Sequence, residues 1–160
     1  MQLEAVPIQF PPDTNVIVGH AHFIKTVEDL YEICATTLPG GRYGIAFSEA
    51  SGARLVRSEG NDDELRAAAA DNARRIGAGH TFVILLRQAF PINVLNAVKQ
   101  CAEVCTVHCA TANPTEILVA ATASGRGVVG VVDGQPPLGV EDAAGVVWRK
   151  DFLRKIGYKR

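Results

Sequence analysis

The sequence lacks the features that would direct it to a membrane, to the cell exterior or to nucleic acid. No apolar run approaches the roughly 20 residues that are needed to span a bilayer. The formal net charge of −1 provides no basic field for nucleic acid or anionic lipid. The stretch MQLEAVPIQFPPDT has no basic region followed by an apolar core, as a signal peptide would. We therefore expect a cytoplasmic protein with no membrane or nucleic-acid partner.

Cysteine pairs of the C-x-x-C type are also absent, although the chain contains four cysteines. The common zinc and redox spacings are thereby excluded, and we expect no metal site. Three of the cysteines recur at every fourth position from residue 101. On a strand over residues 104–109, Cys105, Val107 and Cys109 would share one face as small buried hydrophobic groups. His108 would then point to the opposite face.

The standard phosphate-binding motifs are missing as well. No G-x-x-x-x-G-K-[ST] sequence exists, which excludes a P-loop. Residues 125–130, GRGVVG, fit the pattern G-x-G-x-x-G, but they lead into a β-branched run that predicts a strand. The dinucleotide fingerprint needs a strand before its first glycine and a helix after it, so we reject that interpretation. The turn around Arg126 is either a plain hairpin or an anion-binding loop that offers backbone N–H groups and a guanidinium.

Helices and strands alternate along the 160 residues, which suit a single domain over residues 1–160. Hydrophobic periodicity and turn residues predict strands at 6–10, 15–19, 43–47, 54–58, 82–86, 104–109, 116–122 and 128–132, and helices at 26–38, 61–76, 91–100 and 148–156. We expect Thr26 and Asn61 to cap the first two helices and Gly77 to end the second. The run FVILL is apolar throughout, which is typical of a strand that is covered on both faces. The mixed order predicts a layered α/β or α+β domain.

His80 stands in RIGAGHTFVILL, between a glycine turn and this buried strand. Gly77 and Gly79 allow the backbone to approach a ligand or to adopt positive φ. A histidine fixed in this way is either a nucleophile or a hydrogen-bonded structural residue, and the pattern alone favours neither function decisively.

Other polar residues lie at the ends of predicted strands and helices. In GHAHFIKT, His20 and His22 would share a strand face. Lys25 and the N-terminus of the following helix could hold a phosphate. The alternative is that this segment is a solvent-facing polar turn. Glu49 and Asp133 follow apolar strands, where an acid is either a turn residue or a base or ribose ligand. Asn93, near the start of the helix after FVILL, either caps that helix or faces a ligand.

Taken together, several stretches resemble the adenosine-specific kinase family, with the motifs in the same order from about residue 3 to residue 160. They are VIVGHAHFIKTVEDLYE, YGIAFSEASGARLVR, IGAGHTFVILL, FPINVLNAVK, ATANPTEILVA, GRGVVGVVDG and WRKDFLRKIGYK. The resemblance implies a single-domain α/β fold, a three-layer α/β/α-type sandwich with a mixed sheet. It also implies binding of adenosine and AMP, and a stably phosphorylated histidine. His20 departs from the family pattern, where another polar residue is expected.

The resemblance places the phosphohistidine at His80 in GAGHTF, with His22 in GHAHF as the other candidate. In the implied reaction the imidazole takes a phosphoryl group from a donor and passes it to an adenosine hydroxyl. The expected substrate-binding residues are Lys25, Glu49, Asn93, Asn113, Arg126 and Asp133. No cofactor is fixed, apart from a phosphoryl donor with Mg²⁺. We expect a homo-oligomer, with a trimer as the working guess. The alternative is a non-catalytic AMP-binding or nucleotide-sensing module.

Overall fold

Eight strands and four helices alternate along the chain, and the computed structural model describes all residues from 1 to 160. The strands are β1 (Gln2–Pro7), β2 (Thr14–Ala21), β3 (Arg42–Ser48), β4 (Val56–Gly60), β5 (Thr81–Arg87), β6 (Val104–Thr111), β7 (Thr115–Ala121) and β8 (Arg126–Asp133). The helices are α1 (Thr26–Thr37), α2 (Asp63–Ile76), α3 (Pro91–Gln100) and α4 (Ala143–Lys155). Every predicted element is therefore present, with ends that differ by a few residues.

A five-stranded sheet in the order β4-β3-β5-β2-β6 forms the centre of the molecule. The apolar run FVILL lies in β5, the middle strand, and all of its side chains are buried. That prediction is confirmed, since β5 has a strand on each side and packing on both faces. Every pair of strands is antiparallel, so the expectation of a mixed sheet is wrong. The sheet still fits the α/β class, because helices cover it.

A second antiparallel sheet, in the order β1-β7-β8, packs over part of the first. Helices α1 and α3 share one apolar core with one face of the large sheet. Helix α2 and the small sheet share a second core with the opposite face. The three layers confirm the predicted α/β fold class, with a sheet as well as a helix in the third layer.

Helix α2 lies unusually close to the large sheet, because a glycine stands at the crossing point. A Cβ atom on Gly44 would come within 2.1 Å of the Leu65 carbonyl carbon and 2.2 Å of the Arg66 nitrogen. The alanines of α2 add to the close approach, since Ala69 and Ala73 are fully buried. This contact fixes the position of the loop that follows α2.

The capping predictions for the first two helices are wrong. The N-cap of α1 is Lys25, without a side-chain cap, and Thr26 instead donates its hydroxyl to the Phe23 carbonyl. The N-cap of α2 is Asp62, which accepts a hydrogen bond from the Leu65 amide. Asn61 does not cap the helix, because its side-chain amide is bonded to the start of β3. It accepts from the Tyr43 N–H and donates to the Gly41 carbonyl. Gly77 does end α2 in the left-handed conformation, with φ 63°.

Helix α4 has no buried residue at all. Its predicted apolar stripe is present, but the side chains of Trp148 and Phe152 stack on each other in solvent, with ring centroids 5.3 Å apart. No helix is both long and apolar enough to cross a membrane.

Candidate functional site

Three of the four histidines lie on or beside the strands at one edge of the large sheet, which we call the histidine edge, and the fourth, His22, lies in the loop that follows β2 there. Here β2 and β3 end and β4, β5 and β6 begin. The ring centroid of His80 lies 5.9 Å from that of His20 and 5.7 Å from that of Phe47, on which it stacks. His108 follows on the neighbouring strand β6. Folding therefore gathers residues that are far apart in the sequence.

The backbone of His80 is confined more tightly than its ring. The residue adopts φ 62°, the left-handed region that is uncommon for a residue other than glycine. Its N–H donates to the Ser48 carbonyl at 2.7 Å, and its carbonyl accepts from the Ala21 N–H at 3.0 Å. These two bonds tie the residue to β3 and β2 at once. The ring is positioned by stacking on Phe47, so its nitrogens remain available to a ligand.

Every buried side-chain polar atom without a hydrogen-bond partner lies on the strands that meet here. The four atoms are Ser48 Oγ, Arg57 Nε, Thr81 Oγ1 and His108 Nε2. Buried polar atoms are rarely left unpaired, because each loses its bond to water without compensation. Four of them on the strands of one sheet indicate that a ligand or ordered water completes this region.

Burial and mutual repulsion keep two of the histidines neutral. The pKa of His20 is lowered from 6.5, first by burial and then by the charge of His80. The pKa of His108 is lowered by burial and by the charge of His20. Neutral imidazoles can accept a proton or a hydrogen bond at physiological pH.

His108 reaches this group because β6 contains an irregularity. Val18 pairs with Cys109, but the next residue, Gly19, pairs with Val107, which leaves His108 as the additional residue of a bulge. Cys109 and Val107 consequently pack in different cores. Cys105 is exposed. The prediction of three small side chains buried on one face is therefore wrong, as is the alternation on which it depended.

A cleft of about 530 Å³ opens beside Gly79, the residue before His80, between the β3–β4 hairpin and the loop after α2. Its walls include Ser48, Arg54, Gly79 and Arg126. The amides of Ala78 and Gly79 donate no backbone hydrogen bond, and the Arg54 guanidinium forms no ion pair. Two unused N–H groups and an unpaired cation are the donors that an anion requires. We call this the histidine-edge cleft.

Two predicted ligands of the phosphate are already engaged. Arg126 donates to the Ile76 carbonyl at 3.1 Å and to Glu4 at 2.9 Å, so it joins the end of α2 to β1 and β8. Lys25 pairs with Asp29 at 2.6 Å and with Glu103 at 2.8 Å, which raises its pKa. Both residues lie at the histidine edge, but neither presents a free charge.

The acidic groups at this edge are engaged as well. Glu49 accepts from the Leu55 N–H and pairs with Arg57 at 2.8 Å, and both bonds lower its pKa. Asp29, Cys101 and Glu103 are close enough together to bind a metal ion. The Lys25 ammonium already forms ion pairs with both carboxylates and offsets part of their charge. His22 is exposed, stacks on Phe23 and lies in the same loop region.

The other predicted residues lie at the opposite edge of the sheet. Asn113 and the Thr111 hydroxyl donate to Asp133 at 3.0 and 2.8 Å, and Asn93 accepts from the Phe90 N–H at the start of α3. The seven residues of β5 separate the edges by about 20 Å. The structure thus brings together His80, His22, Lys25, Glu49 and Arg126, and places Asn93, Asn113 and Asp133 elsewhere.

A larger cleft of about 1210 Å³, the opposite cleft, lies beside this second group. Its wall includes Phe10, Asp13, Gln88, Phe90 and Glu116. Asp13 and Gln88 both adopt positive φ, at 57° and 56°, in the turns that border it.

Sequence reasoning missed several residues of the histidine edge. Arg54 lies in a hairpin with no motif, and its relation to Gly79 depends on how α2 sits on the sheet. Ser48 and Thr81 did carry a signal, since each is the polar residue that flanks an apolar strand run. His108 was noted only as facing away from Cys109, and its approach to His20 could not be predicted because the bulge in β6 interrupts the alternation.

Comparison with known proteins agrees with this architecture. A family model described as adenosine specific kinase matches residues 6–159. The crystal structure of the PH1918 protein from Pyrococcus horikoshii OT3 is similar, with a TM-score of 0.95 and 44% sequence identity over 99% of this chain and 98% of that chain. No curated protein matches the sequence.

Proposed function

The chain belongs to the adenosine-specific kinase family, and from that premise we propose that it binds adenosine or AMP and carries a phosphoryl group on His80. The observation that supports this most directly is the coincidence of a confined histidine with four unpartnered polar atoms at one sheet edge. Such an arrangement suits a phosphoryl group, whose oxygens are hydrogen-bond acceptors.

In the proposed reaction, a nitrogen of the His80 imidazole attacks the terminal phosphorus of a donor such as ATP. The N–P bond forms as the bond between the terminal phosphorus and the bridging oxygen breaks, and ADP leaves with that electron pair on its oxygen. An adenosine hydroxyl then attacks the phosphorus, the N–P bond breaks, and the hydroxyl proton passes to a neutral base. We assign this role to His20, because its ring lies 5.9 Å from that of His80 and its lowered pKa leaves the imidazole neutral before the transfer.

The phosphoryl oxygens would be held by the donors of the histidine-edge cleft. We assign this role to Arg54 and to the amides of Ala78 and Gly79, because these groups have no other partner. Arg126 and Lys25 would add positive electrostatic potential around the phosphoryl group without contacting it. The carboxylates of Glu49 and Glu103 are paired with cations, so Mg²⁺ would enter bound to the donor.

Labelling of two histidine variants tests the proposal. We expect His80→Asn to fold, because asparagine tolerates positive φ, and to lose acid-labile phosphate completely. His22→Asn should weaken binding and still be labelled. Intact-mass spectrometry at neutral pH measures both. Labelling that survives in His80→Asn and disappears in His22→Asn would assign the phosphate to GHAHF.

One observation favours the second candidate function, a binding or sensing module without turnover. Glu49 and Glu103, the acids described at this edge, are paired with cations, so catalysis would depend on a histidine as the base. In this case phosphate on His80 would be retained. Transfer of radiolabel from ATP to adenosine distinguishes the two functions, because only the kinase releases labelled AMP.

We also expect AMP and adenosine to bind more tightly than ATP, with dissociation constants on the order of micromolar. The chain has no P-loop for a triphosphate, and the donors of the histidine-edge cleft suffice for one phosphate. Calorimetry with the three ligands is the direct measurement. Tighter binding of ATP than of AMP would contradict this expectation.

A further inference from the structure

The opposite cleft is larger than the histidine-edge cleft, and the reaction proposed above makes no use of it. Its volume of about 1210 Å³ lies between the β1–β2 turn, the β5–α3 loop, the start of β7 and the end of β8. Phenylalanine, proline, isoleucine, alanine and valine side chains form part of its wall, and polar side chains form the rest. Apolar clefts with a few convergent polar groups are the usual sites of small ligands. We therefore examined which ligand its polar groups would favour.

Two carboxylates on the wall of the opposite cleft have no partner in the protein. Asp13 and Glu116 are exposed, and neither forms an ion pair or accepts a hydrogen bond from another residue. Arg87 is the only cationic side chain on the wall, and it pairs with Glu64 at 2.9 Å instead. The cleft therefore attracts a cation and repels an anion such as AMP.

A buried amide on the same wall has an unused acceptor. Asn15 is only 8% exposed, and its side-chain nitrogen donates to the Ala89 carbonyl at 3.1 Å. The Asn15 amide oxygen accepts no hydrogen bond from the protein. A buried acceptor without a donor is unfavourable, because it has lost its bonds to water. Since Asn15 lines the opposite cleft, a ligand with N–H groups can supply the missing donor.

Aromatic rings and a constrained backbone complete the wall. Phe10 and Phe90 provide rings on which a cation or an apolar group can pack. Asp13 and Gln88 adopt φ 57° and 56°, and the other two non-glycine residues with positive φ lie at the histidine edge and its cleft. Backbone strain is retained preferentially at binding sites, so this distribution sets the two clefts apart from the rest of the surface.

We propose that the opposite cleft is a second ligand site, which binds a small organic cation, an amine on an aromatic or apolar body. The Asp13 and Glu116 carboxylates attract the ammonium group, and the Asn15 oxygen accepts one of its N–H groups. The two phenylalanine rings pack against the body of the ligand. This site does not depend on the reaction at His80, because the two clefts lie at opposite ends of β5 and favour ligands of opposite charge.

Three probes that share a benzene ring on a two-carbon chain test the predicted charge selectivity. At neutral pH phenethylamine is a cation, phenethyl alcohol is uncharged and phenylacetate is an anion. We expect saturable binding of phenethylamine, with a dissociation constant on the order of millimolar or below, and binding of the alcohol at least about tenfold weaker. Phenylacetate should not bind. Ligand-observed NMR on the full chain measures all three. Absent binding of the amine, or equal binding of the three probes, would overturn the proposal.

A matched pair of variants tests the position of the site. Asp13→Asn keeps a residue that tolerates positive φ, and it should weaken phenethylamine binding by about tenfold. Glu116→Gln should act in the same direction at a residue without backbone strain. Glu32→Gln removes the same charge from an exposed residue of α1 outside the cleft, and should leave the affinity unchanged.

Competition with AMP separates this site from the one around His80. AMP should not displace phenethylamine, and Asp13→Asn should bind AMP as the wild type does. These results are expected whether or not His80 carries a phosphoryl group. Displacement of the amine by AMP would overturn the proposal, because the two ligands would then share one site. So would equal effects of Asp13→Asn and Glu32→Gln on the amine.

Discussion

His80 owes its position to its backbone, since its ring forms no hydrogen bond within the protein and lies only beside the rings of Phe47 and His20. A side chain in the left-handed region costs of order 1 kcal/mol or more, and the bonds to Ser48 and Ala21 hold it there. A strained backbone conformation such as this one persists only where hydrogen bonds and packing from the surrounding structure hold it in place. Gly77 and Gly79 therefore allow the turn before His80, and they do not themselves determine the conformation of the histidine.

Gly79→Val should damage AMP binding more than folding. A Cβ at this position would lie 2.8 Å from the Ala50 Cβ, so the β3–β4 hairpin must move and take Arg54 with it. We expect AMP affinity to fall by about tenfold, with a small change in melting temperature. Gly127→Val is the matched control, because nothing lies within 4 Å of its Cβ. A variant that melts early but binds AMP normally would contradict this account.

The stability of the protein should fall as the pH drops below about 6.5. His20 and His108 have lowered pKa values in the fold, so the unfolded chain binds protons more readily in the range just below 6.5. Their contribution is complete above 6.5 and is lost as the pH falls through the lowered folded values.

Urea unfolding measured between pH 8 and pH 5 should show this loss. The double variant His20→Gln, His108→Gln should lose less stability over the same interval. The paired carboxylates, whose ordinary pKa values are about 4.5 or lower, titrate mainly below this interval. Identical pH profiles for the two proteins would show that these histidines are not responsible.

Among the elements, α2 depends most on a single small residue of the strand beneath it. Gly44→Ala should push the helix from the sheet, because the new methyl group would meet helix backbone that cannot rotate away. We expect a loss of about 1–3 kcal/mol in the free energy of unfolding, as in other overpacked cores. Gly127→Ala should change it little. Equal stability of both variants would mean that α2 can shift without cost.

Hydrophobic patterns predicted the elements well because each pattern is local. FVILL and the alanine-rich segment of α2 needed no knowledge of their neighbours. The antiparallel order of the large sheet could not be read in this way, since β2, β3, β5 and β6 are joined through helices that permit either direction. Asn61 and Asp62 illustrate the same limit, because both suit an N-cap and only the needs of β3 decide between them.

For the molecule as a whole, the main result is the division of the predicted site between two edges. His80 and Asp133 were grouped because each ends or begins an apolar strand. His80 precedes β5 of the large sheet and Asp133 ends β8 of the small sheet, so their distance depends on how the two sheets pack. The polar residues at the strand ends could thus be identified from the sequence, but which of them lie close together in the fold could not.

Affinities of two further variants test this division. Arg54→Ala should weaken AMP binding by about tenfold and adenosine binding much less, because its cation meets only the phosphate. Asp133→Asn, at the other edge, should change neither affinity. Calorimetry on the two variants provides the comparison. A larger loss for Asp133→Asn would place the nucleotide at the opposite edge.

The strand order of the large sheet also determines when the protein can fold during synthesis. Strand β2 emerges early, but its neighbours are β5 and β6, which begin at Thr81 and Val104. Until β5 is made, the β3–β4 hairpin and α2 can assemble while β2 remains an unpaired apolar segment. The two parts of the sheet can therefore join only when β5 has been synthesised, because β5 pairs with both β3 and β2. A chain interrupted before residue 81 leaves the apolar strand β2 unpaired, and an unpaired strand of this kind promotes aggregation.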